Sequence, residues 1–170
     1  KEGVNEDAES REFYCDVIMD EASKMNQMVK NLLTLNQLEF GDEDIVFDRF
    51  NLTALVRGVL QSMEIMADQA GAKILLHIEE DIYAWADEFK VEQVVKNYVS
   101  NACHHVSGDM VIEVKMVQKD GKVRVSVFNT GTPIPEADIA HIWDKFYKVD
   151  KAHTREYGGN GIGLSIVKAI

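Results

Sequence analysis

The sequence has few cysteines, few basic residues and no long run of apolar residues. Its two cysteines, Cys15 and Cys103, stand far apart, with the spacing of neither a disulfide framework nor a zinc site. No apolar run approaches the roughly 20 residues that cross a bilayer, and the first residues show no signal-peptide pattern. We therefore expect a soluble protein of a reducing compartment.

Acidic residues outnumber basic residues in the chain as a whole. The 18 Lys and Arg residues stand against 29 Asp and Glu residues, which leaves a net charge of −11 at pH 7. Because binding to nucleic-acid phosphates requires a broad basic surface, the sequence predicts no nucleic-acid partner. The 170 residues are 46% hydrophobic, which is enough for the core of one domain, or of one domain with an appendage.

The segment from about residue 7 to residue 40 contains neither Gly nor Pro and predicts one long helix. Along it, Ile18, Met25 and Leu32 recur every seven residues, as in a coiled coil. An apolar stripe of this length requires something to cover it, either a partner helix in a dimer or bundle, or the rest of the same chain. We favour the partner helix.

An acidic break at residues 41–44 predicts a domain boundary, with residues 1–42 before it and residues 43–170 after it. The second part mixes helix and strand patterns and predicts an α+β sandwich, a sheet with helices on one face. Helices are predicted to begin at Asn51 and Asp87, and to cover residues 136–145 and 162–170. Strands are predicted over residues 72–78, 82–86, 110–116 and 123–127.

The helix that begins at Asp87 carries a polar stripe beside a wide apolar face. Asn97, Asn101, His104 and His105 form this stripe at helical spacing. A solvated helix face normally carries Lys and Glu, whereas amide oxygens suit Mg²⁺ and imidazoles can bind phosphate. The stripe is therefore either a ligand site or a moderately polar surface.

Two glycine-bearing segments follow this helix. Asn129-Thr130-Gly131 leaves the end of a predicted strand, and residues 158–164 (Gly-Gly-Asn-Gly-Ile-Gly-Leu) lead into a helix. The second segment can bring backbone N–H groups onto a polyphosphate, because glycine has no Cβ to hold the phosphates away. A plain turn is the alternative, and the segment has the context of neither a Rossmann fingerprint nor a Walker loop.

The order of these segments resembles the N, G1, F and G2 boxes of sensor histidine kinases. Asn97 and Asn101 match the N box, Asn129 to Gly131 match G1, residues 146–150 (Phe-Tyr-Lys-Val-Asp) match the F box, and residues 159–164 (Gly-Asn-Gly-Ile-Gly-Leu) match G2. The resemblance covers nearly the whole chain. It implies a Bergerat-type ATP-binding fold over residues 43–170, a two-layer α/β sandwich. Residues 1–42 resemble the second, coiled-coil-like helix of the dimerisation and phosphotransfer domain.

The resemblance implies that the chain binds ATP and Mg²⁺, with Asn101 as the metal ligand and Asn97 supporting the phosphates. The further residues it assigns to the nucleotide are His104, His105, Asn129, Gly131, Ile134, Phe146, Tyr147, Lys148, Gly159, Gly161, Ile162, Gly163 and Leu164. A neutral His104 would donate a hydrogen bond, and the amide oxygen of Asn129 would accept one from the adenine amino group, where relatives carry Asp. Residues 149–160 would form a mobile lid, and Pro133 replaces the second glycine of G1.

One position separates a kinase from an ATPase. ATP-hydrolysing relatives carry a water-activating Glu four residues before the metal-binding Asn, and here that position is Asn97, which cannot act as a base. We therefore expect transfer of the γ-phosphoryl group to a histidine of a partner helix, for relay to an aspartate of a response regulator. The alternative is a nucleotide-binding regulatory or pseudokinase module that transfers nothing.

The chain alone is expected not to phosphorylate itself. Relatives carry the acceptor in a His-Glu/Asp-x-x-x-Pro setting, and none of the five histidines here is directly followed by an acidic residue. The resemblance implies that the first dimerisation helix and the last strands of the sheet lie outside this chain. It also implies a homodimer through the N-terminal helix, in the cytoplasmic portion of a membrane-anchored receptor.

Overall fold

The protein is described by a computed structural model that covers residues 8–41, 45–78, 80–149 and 160–170. The elements in chain order are α1 (Ala8–Phe40), β1 (Asp48–Asn51), α2 (Leu52–Ser62), α3 (Glu64–Gln69), β2 (Lys73–His77), β3 (Tyr83–Ala86), α4 (Glu88–His105), β4 (Val111–Lys119), β5 (Lys122–Asn129) and α5 (Gly163–Ala169). The long first helix is confirmed. The predicted boundary between residues 42 and 43 lies outside the described residues and stays a prediction.

The strands form two small sheets. Strands β1 and β3 pair antiparallel, with Asp48 opposite Ala86 and Asn51 opposite Tyr83. The larger sheet has the order β2-β4-β5, in which β2 and β4 run parallel and β4 and β5 form an antiparallel hairpin. Its turn places Asp120 and Gly121 at positive φ, as two-residue hairpin turns require.

The main core lies between the larger sheet and the helices α2 and α4. Alternate residues of β4 (Ile112, Val114 and Met116) are buried on one face of the sheet, as the period of two predicts. They pack with the buried faces of α2 and α4, where Val56 and Val99 are fully covered. One sheet layer and one helix layer therefore enclose the core, and the predicted α+β sandwich with a preceding long helix is confirmed.

Local signals account for where the two core helices begin. The side chain of Asn51 accepts from the backbone N–H of Ala54 at 2.9 Å, and that of Asp87 accepts from the N–H of Lys90 at 3.0 Å. Both contacts are N-caps, which satisfy backbone donors that have no partner within the helix. The second carboxylate oxygen of Asp87 also accepts from the N–H of Val46 at 3.2 Å, which ties the segment before β1 to the start of α4.

The predicted helix over residues 136–145 is wrong, because the structure places a series of turns there. Its backbone hydrogen bonds mostly span three residues, as from the N–H of Asp138 to the carbonyl of Pro135 and from the N–H of His141 to that of Asp138. Only Ile142 makes the four-residue bond of an α-helix within this segment. The short elements β1 and α3 are additions that the sequence pattern did not predict.

The first helix contacts the rest of the chain near its C-terminal end. Leu35 is 2% exposed and packs with Ile162 and Ile166 at the start of α5. Farther toward the N-terminus, Ile18, Met25 and Val29 are exposed. One part of the apolar stripe is therefore covered by the chain itself. Within the described part of the chain, each helix is too short or too polar to span a membrane.

Candidate functional site

The polar stripe of α4 faces the first residue of α5. A Cβ added to Gly163 would lie 3.0 Å from the side-chain oxygen of Asn97 and 3.9 Å from that of Asn101. The amide nitrogen of Asn97 donates to the carbonyl of Gln93 at 2.9 Å, which orients the oxygen toward α5. Two half-buried amide oxygens thus lie close to Gly163, in the second glycine-bearing segment.

Gly161 lies against the backbone of the segment that matches the F box. It adopts φ +65°, and a Cβ there would meet the carbonyl oxygen of Tyr147 at 2.9 Å. Its carbonyl accepts from the N–H of Phe146 at 2.8 Å, and Phe146 itself has φ +64°. A left-handed conformation in a bulky residue costs about 1–3 kcal/mol and recurs at functional sites. Only glycine fits at position 161, because both the φ and the close approach exclude a side chain.

Asn129 lies at the end of β5 beside the last residue of α4. Its amide nitrogen donates to the carbonyls of His105 at 3.3 Å and of Thr130 at 3.1 Å. Both partners are acceptors, so the donors of the amide are occupied and its oxygen is the atom that can accept from a ligand. Gly131 sits next to this contact, and a Cβ there would lie 2.6 Å from the carbonyl oxygen of His105.

The ring of His104 does not offer the hydrogen bond that the sequence predicts. Its Nδ1 lies 2.7 Å from the carbonyl oxygen of Ser100, which can only accept, so Nδ1 carries the proton. In the neutral ring, Nε2 is then an acceptor, and it donates only when the ring is positively charged. A neutral His104 therefore cannot donate to a phosphate, because its one proton is already bound to the helix backbone.

Side chains within residues 138–147 contact one another. The hydroxyl of Tyr147 donates to a carboxylate oxygen of Asp138, and the ring of His141 contacts Asp144 at 3.1 Å. The hydrogen bond to Asp138 raises the pKa of the Tyr147 hydroxyl, so this group stays protonated and neutral at physiological pH.

On α4, burial raises the pKa of the Cys103 thiol, which disfavours a nucleophilic thiolate there.

The remaining predicted site residues divide into three groups. Lys148, which follows Tyr147, and Leu164, which follows Gly163, are half-buried, whereas Ile134 and His105 are exposed. Ile162 is 0% exposed, and its side chain packs against α1 and α5, so only its backbone can face a ligand. Gly159 and most of the predicted lid lie outside the described residues.

Several contacts of this region were not predicted from the sequence. Ser100 lies four residues before His104, a helical spacing that could have indicated the bond between them. No comparable signal marks Asp138 as the partner of Tyr147, or Leu35 as the residue that covers Ile162. Among the described residues, no three His, Cys, Asp or Glu side chains cluster as a metal site.

The arrangement suits a polyphosphate that carries Mg²⁺. Amide oxygens are hard ligands of the kind that Mg²⁺ accepts, and Mg²⁺ takes most of its other ligands from phosphates and water. At positions 161 and 163, glycine lets the backbone of the second glycine-bearing segment lie directly against the Tyr147 carbonyl and the Asn97 amide, which a Cβ would prevent. The residues present therefore fit the predicted ligands in the type of donor that they offer.

The sequence matches a known protein family over its second half. The family model described as "Histidine kinase-, DNA gyrase B-, and HSP90-like ATPase" matches residues 86–170. This segment contains every residue predicted for the site. The sensor histidine kinase WalK of Bacillus subtilis (strain 168) is 29% identical over 171 residues, which is 98% of this chain. The chain spans 28% of the length of that kinase.

Solved structures of histidine kinases share the fold. The catalytic domain of the histidine kinase ThkA superposes with a TM-score of 0.63 and 32% identity, covering 74% of this chain and 79% of that one. ThkA in complex with the response regulator protein TrrA gives a TM-score of 0.70 and 30% identity, covering 84% of this chain and 42% of that one. The second comparison covers the larger share of this chain.

Proposed function

The chain belongs to the histidine kinase-, DNA gyrase B- and HSP90-like ATPase family, and from this membership we propose that it is the ATP-binding catalytic part of a sensor histidine kinase. The observation that carries the proposal is the convergence of the Asn97 and Asn101 oxygens on Gly163. It joins the polar stripe of α4 to the glycine-bearing segment. Alone, the stripe could be a moderately polar surface, and the segment could be a plain turn.

The residues around Gly163 would hold the phosphates and the metal. Asn101 offers a half-buried amide oxygen to Mg²⁺, and Asn97 offers a second oxygen beside it. The backbone at Gly161 and Gly163 would approach the phosphate oxygens closely. When bound, Mg²⁺ supplies positive charge that offsets the charge of the phosphates in a protein whose own net charge is −11.

The base would bind at the other end of the site. The amide oxygen of Asn129 is held in place by the two hydrogen bonds that its nitrogen donates to His105 and Thr130. An acceptor fixed in this way can receive one hydrogen bond from the adenine amino group, and guanine presents a carbonyl at the corresponding position. We therefore assign a preference for ATP over GTP to Asn129.

The side chains of α4 favour phosphoryl transfer over hydrolysis. Asn97 cannot remove a proton from water, and its nitrogen is bound to the carbonyl of Gln93. Glu92, the nearest carboxylate before it on the helix, forms an ion pair with Lys96 at 2.6 Å. Asn97 therefore provides no general base at the phosphates, and Glu92 lies five residues before it, outside the i+3/i+4 spacing that would place both on one face.

The proposed reaction transfers the γ-phosphoryl group of ATP to a ring nitrogen of an acceptor histidine. The bond between the γ-phosphorus and the bridging oxygen breaks, a nitrogen–phosphorus bond forms, ADP leaves, and the ring loses a proton to solvent. The acceptor would come from another helix, because no histidine of this chain has the family's acceptor setting.

The exposed part of α1 supports a dimer through the N-terminal helix. Ile18, Met25 and Val29 lie on the predicted stripe and are more than half exposed, an apolar surface that a partner helix would cover. The regulator partner is proposed by analogy with ThkA, which was solved together with TrrA. The WalK relative, described as a sensor kinase, suggests a membrane-anchored receptor as the parent protein.

The experiment that tests this function is phosphotransfer in trans. The chain is incubated with γ-labelled MgATP and a full-length relative such as WalK, whose own metal-binding asparagine has been replaced. We expect acid-labile, base-stable label on the relative, at its acceptor histidine. The Asn101→Ala variant of this chain serves as the matched control and should transfer no label.

Two results would count against the proposal in different ways. Normal MgATP binding with no transfer would favour a nucleotide-binding regulatory module. Absence of MgATP binding to the unaltered chain would reject the nucleotide site itself.

A further inference from the structure

Ile162 connects the proposed phosphate segment to the first helix. It stands between Gly161 and Gly163, yet its side chain is fully buried and packs with Leu35 of α1 and Ile166 of α5. Met28 and Leu38 of α1 pack at the edge of the same cluster. A residue inside the phosphate-binding backbone is thus held by a helix that lies outside the ATP-binding sandwich.

The backbone at this point is fixed on its other sides. The carbonyl of Ile162 accepts from the hydroxyl of Ser165 at 2.7 Å and from the N–H of Ile166 at 3.0 Å. Gly161 is bonded to Phe146, and Gly163 abuts Asn97. Of the contacts that fix the backbone around Ile162, the side-chain contact with Leu35 is therefore the one that α1 provides.

A second contact, one turn farther along α1, involves the residue directly before the segment that matches the F box. The carboxylate of Glu39 pairs with the ammonium group of Lys145 at 2.6 Å. Lys145 directly precedes Phe146, whose N–H binds Gly161. Because Leu35 and Glu39 are four residues apart, they lie on one face of α1, and this face contacts both segments that flank Gly161.

We propose that Leu35 is a positioning residue for the nucleotide: through Ile162, α1 sets the geometry of the backbone at Gly161 and Gly163. MgATP affinity then depends on the packing of α1 against α5. By linkage, bound MgATP strengthens that packing by the same factor. The inference rests on the proposed function, because it requires phosphates at Gly161 and Gly163.

The test measures two ligands on the full chain. Leu35→Ala removes most of the side chain that covers Ile162, and Leu33→Ala is the matched control, because Leu33 lies on the same helix and is 60% exposed. We expect Leu35→Ala to weaken MgATP binding on the order of fivefold in calorimetry. Adenosine has no phosphates, so its dissociation constant, measured by ligand-observed NMR, should stay unchanged in every variant.

Further variants distinguish the expected loss of MgATP affinity from a loss that is caused by unfolding. Leu35→Met keeps the volume of the side chain and should restore MgATP affinity. If circular dichroism shows that Leu35→Ala is not folded, Leu35→Val replaces it, with a smaller expected loss for MgATP alone.

Three outcomes would overturn the inference. The first is equal MgATP affinity in Leu35→Ala, or in its replacement Leu35→Val, and in the unaltered chain. The second is a parallel loss for MgATP and adenosine, which would indicate general damage. In the third, the unaltered chain binds no MgATP, and the proposed function fails together with the inference.

Discussion

The side-chain oxygen of Asn97 lies 3.0 Å from the position that a Cβ would take on Gly163. Glycine at this position lets α5 begin directly against the polar stripe of α4. The contact also explains why two features that are 66 residues apart in the chain, at 97 and 163, form one site. Any side chain at residue 163 would push α5 away from Asn97 or turn the amide.

Gly163→Ala should therefore weaken MgATP binding and lower the free energy of unfolding by about 1 kcal/mol, as overpacking does. Gly58→Ala is the matched control, because a Cβ at Gly58 would meet nothing within 4 Å. Gly58 lies inside α2, so its replacement should stabilise the protein by about 0.5–1 kcal/mol and leave MgATP affinity unchanged. Urea unfolding and calorimetry measure both effects. A Gly163→Ala variant with unaltered affinity would show that α5 can shift without cost to the site.

The helix starts were predictable because their signals are local. Asn51 and Asp87 each cap a helix through a contact three residues along the chain, and the polar or apolar pattern that follows is complete within each helix. The segment over residues 136–146 instead ends in a contact with a residue far along the chain. Phe146 takes its left-handed conformation beside Gly161, and no property of the segment itself reveals that contact.

The candidate site likewise has features that the sequence pattern predicts and features that depend on the folded structure. The order of the asparagines and glycines indicated which residues meet, and the structure brings Asn97, Asn101 and Gly163 together. The position of the proton on the His104 ring depends on the folded structure, because the short distance between Nδ1 and the Ser100 carbonyl oxygen places the proton on Nδ1. Leu35 has the same periodicity as the exposed residues of α1, so sequence alone cannot tell which part of the stripe is covered by α5.

Asn101→Ala should abolish measurable MgATP binding and leave the fold intact. The amide is half-buried and faces α5, so its loss removes a metal ligand and little core volume. Calorimetry with MgATP and thermal unfolding by circular dichroism check the two parts. MgATP affinity equal to that of the unaltered chain would remove Asn101 from the site.

Asn129→Ala should weaken ATP binding by about tenfold, or about 1.4 kcal/mol, because it removes the acceptor proposed for the adenine amino group. GTP affinity should change much less, since guanine has no amino group at that position. Competition against a fluorescent nucleotide gives both values. An equal change for the two nucleotides would mean that Asn129 acts on something other than the base.

Asp87→Ala should destabilise the protein in a pH-dependent way. The backbone N–H of Lys90 holds the pKa of the Asp87 carboxyl below its usual range, with a smaller contribution from the N–H of Val46. A lowered pKa in the folded state means that the stabilisation is fully present above the ordinary carboxyl pKa of about 3.9 and is lost as pH falls through the lower, folded value. Unfolding temperatures of the variant and the unaltered chain should differ at pH 7 and converge well below pH 4.

The control for this pH effect is Asp81→Ala, which removes the same charge from an exposed position before β3. Its unfolding temperature should differ little from that of the unaltered chain at either pH. If the difference for Asp87→Ala persisted unchanged at low pH, the carboxylate would not be the source of its stabilisation.

The purified chain should not phosphorylate itself, even with MgATP bound. None of its five histidines is directly followed by an acidic residue, as the family's acceptor is. His104 is the histidine closest to the proposed phosphates along α4, but its Nδ1 is bound to the Ser100 carbonyl, and it lies one turn beyond Asn101. A nucleophile on the same rigid helix as the metal ligand cannot move into line behind the γ-phosphorus. Incubation with γ-labelled MgATP, followed by acid and base treatment, should leave the chain unlabelled. Acid-labile, base-stable label on the chain alone would contradict the prediction, and peptide mapping would then identify the acceptor.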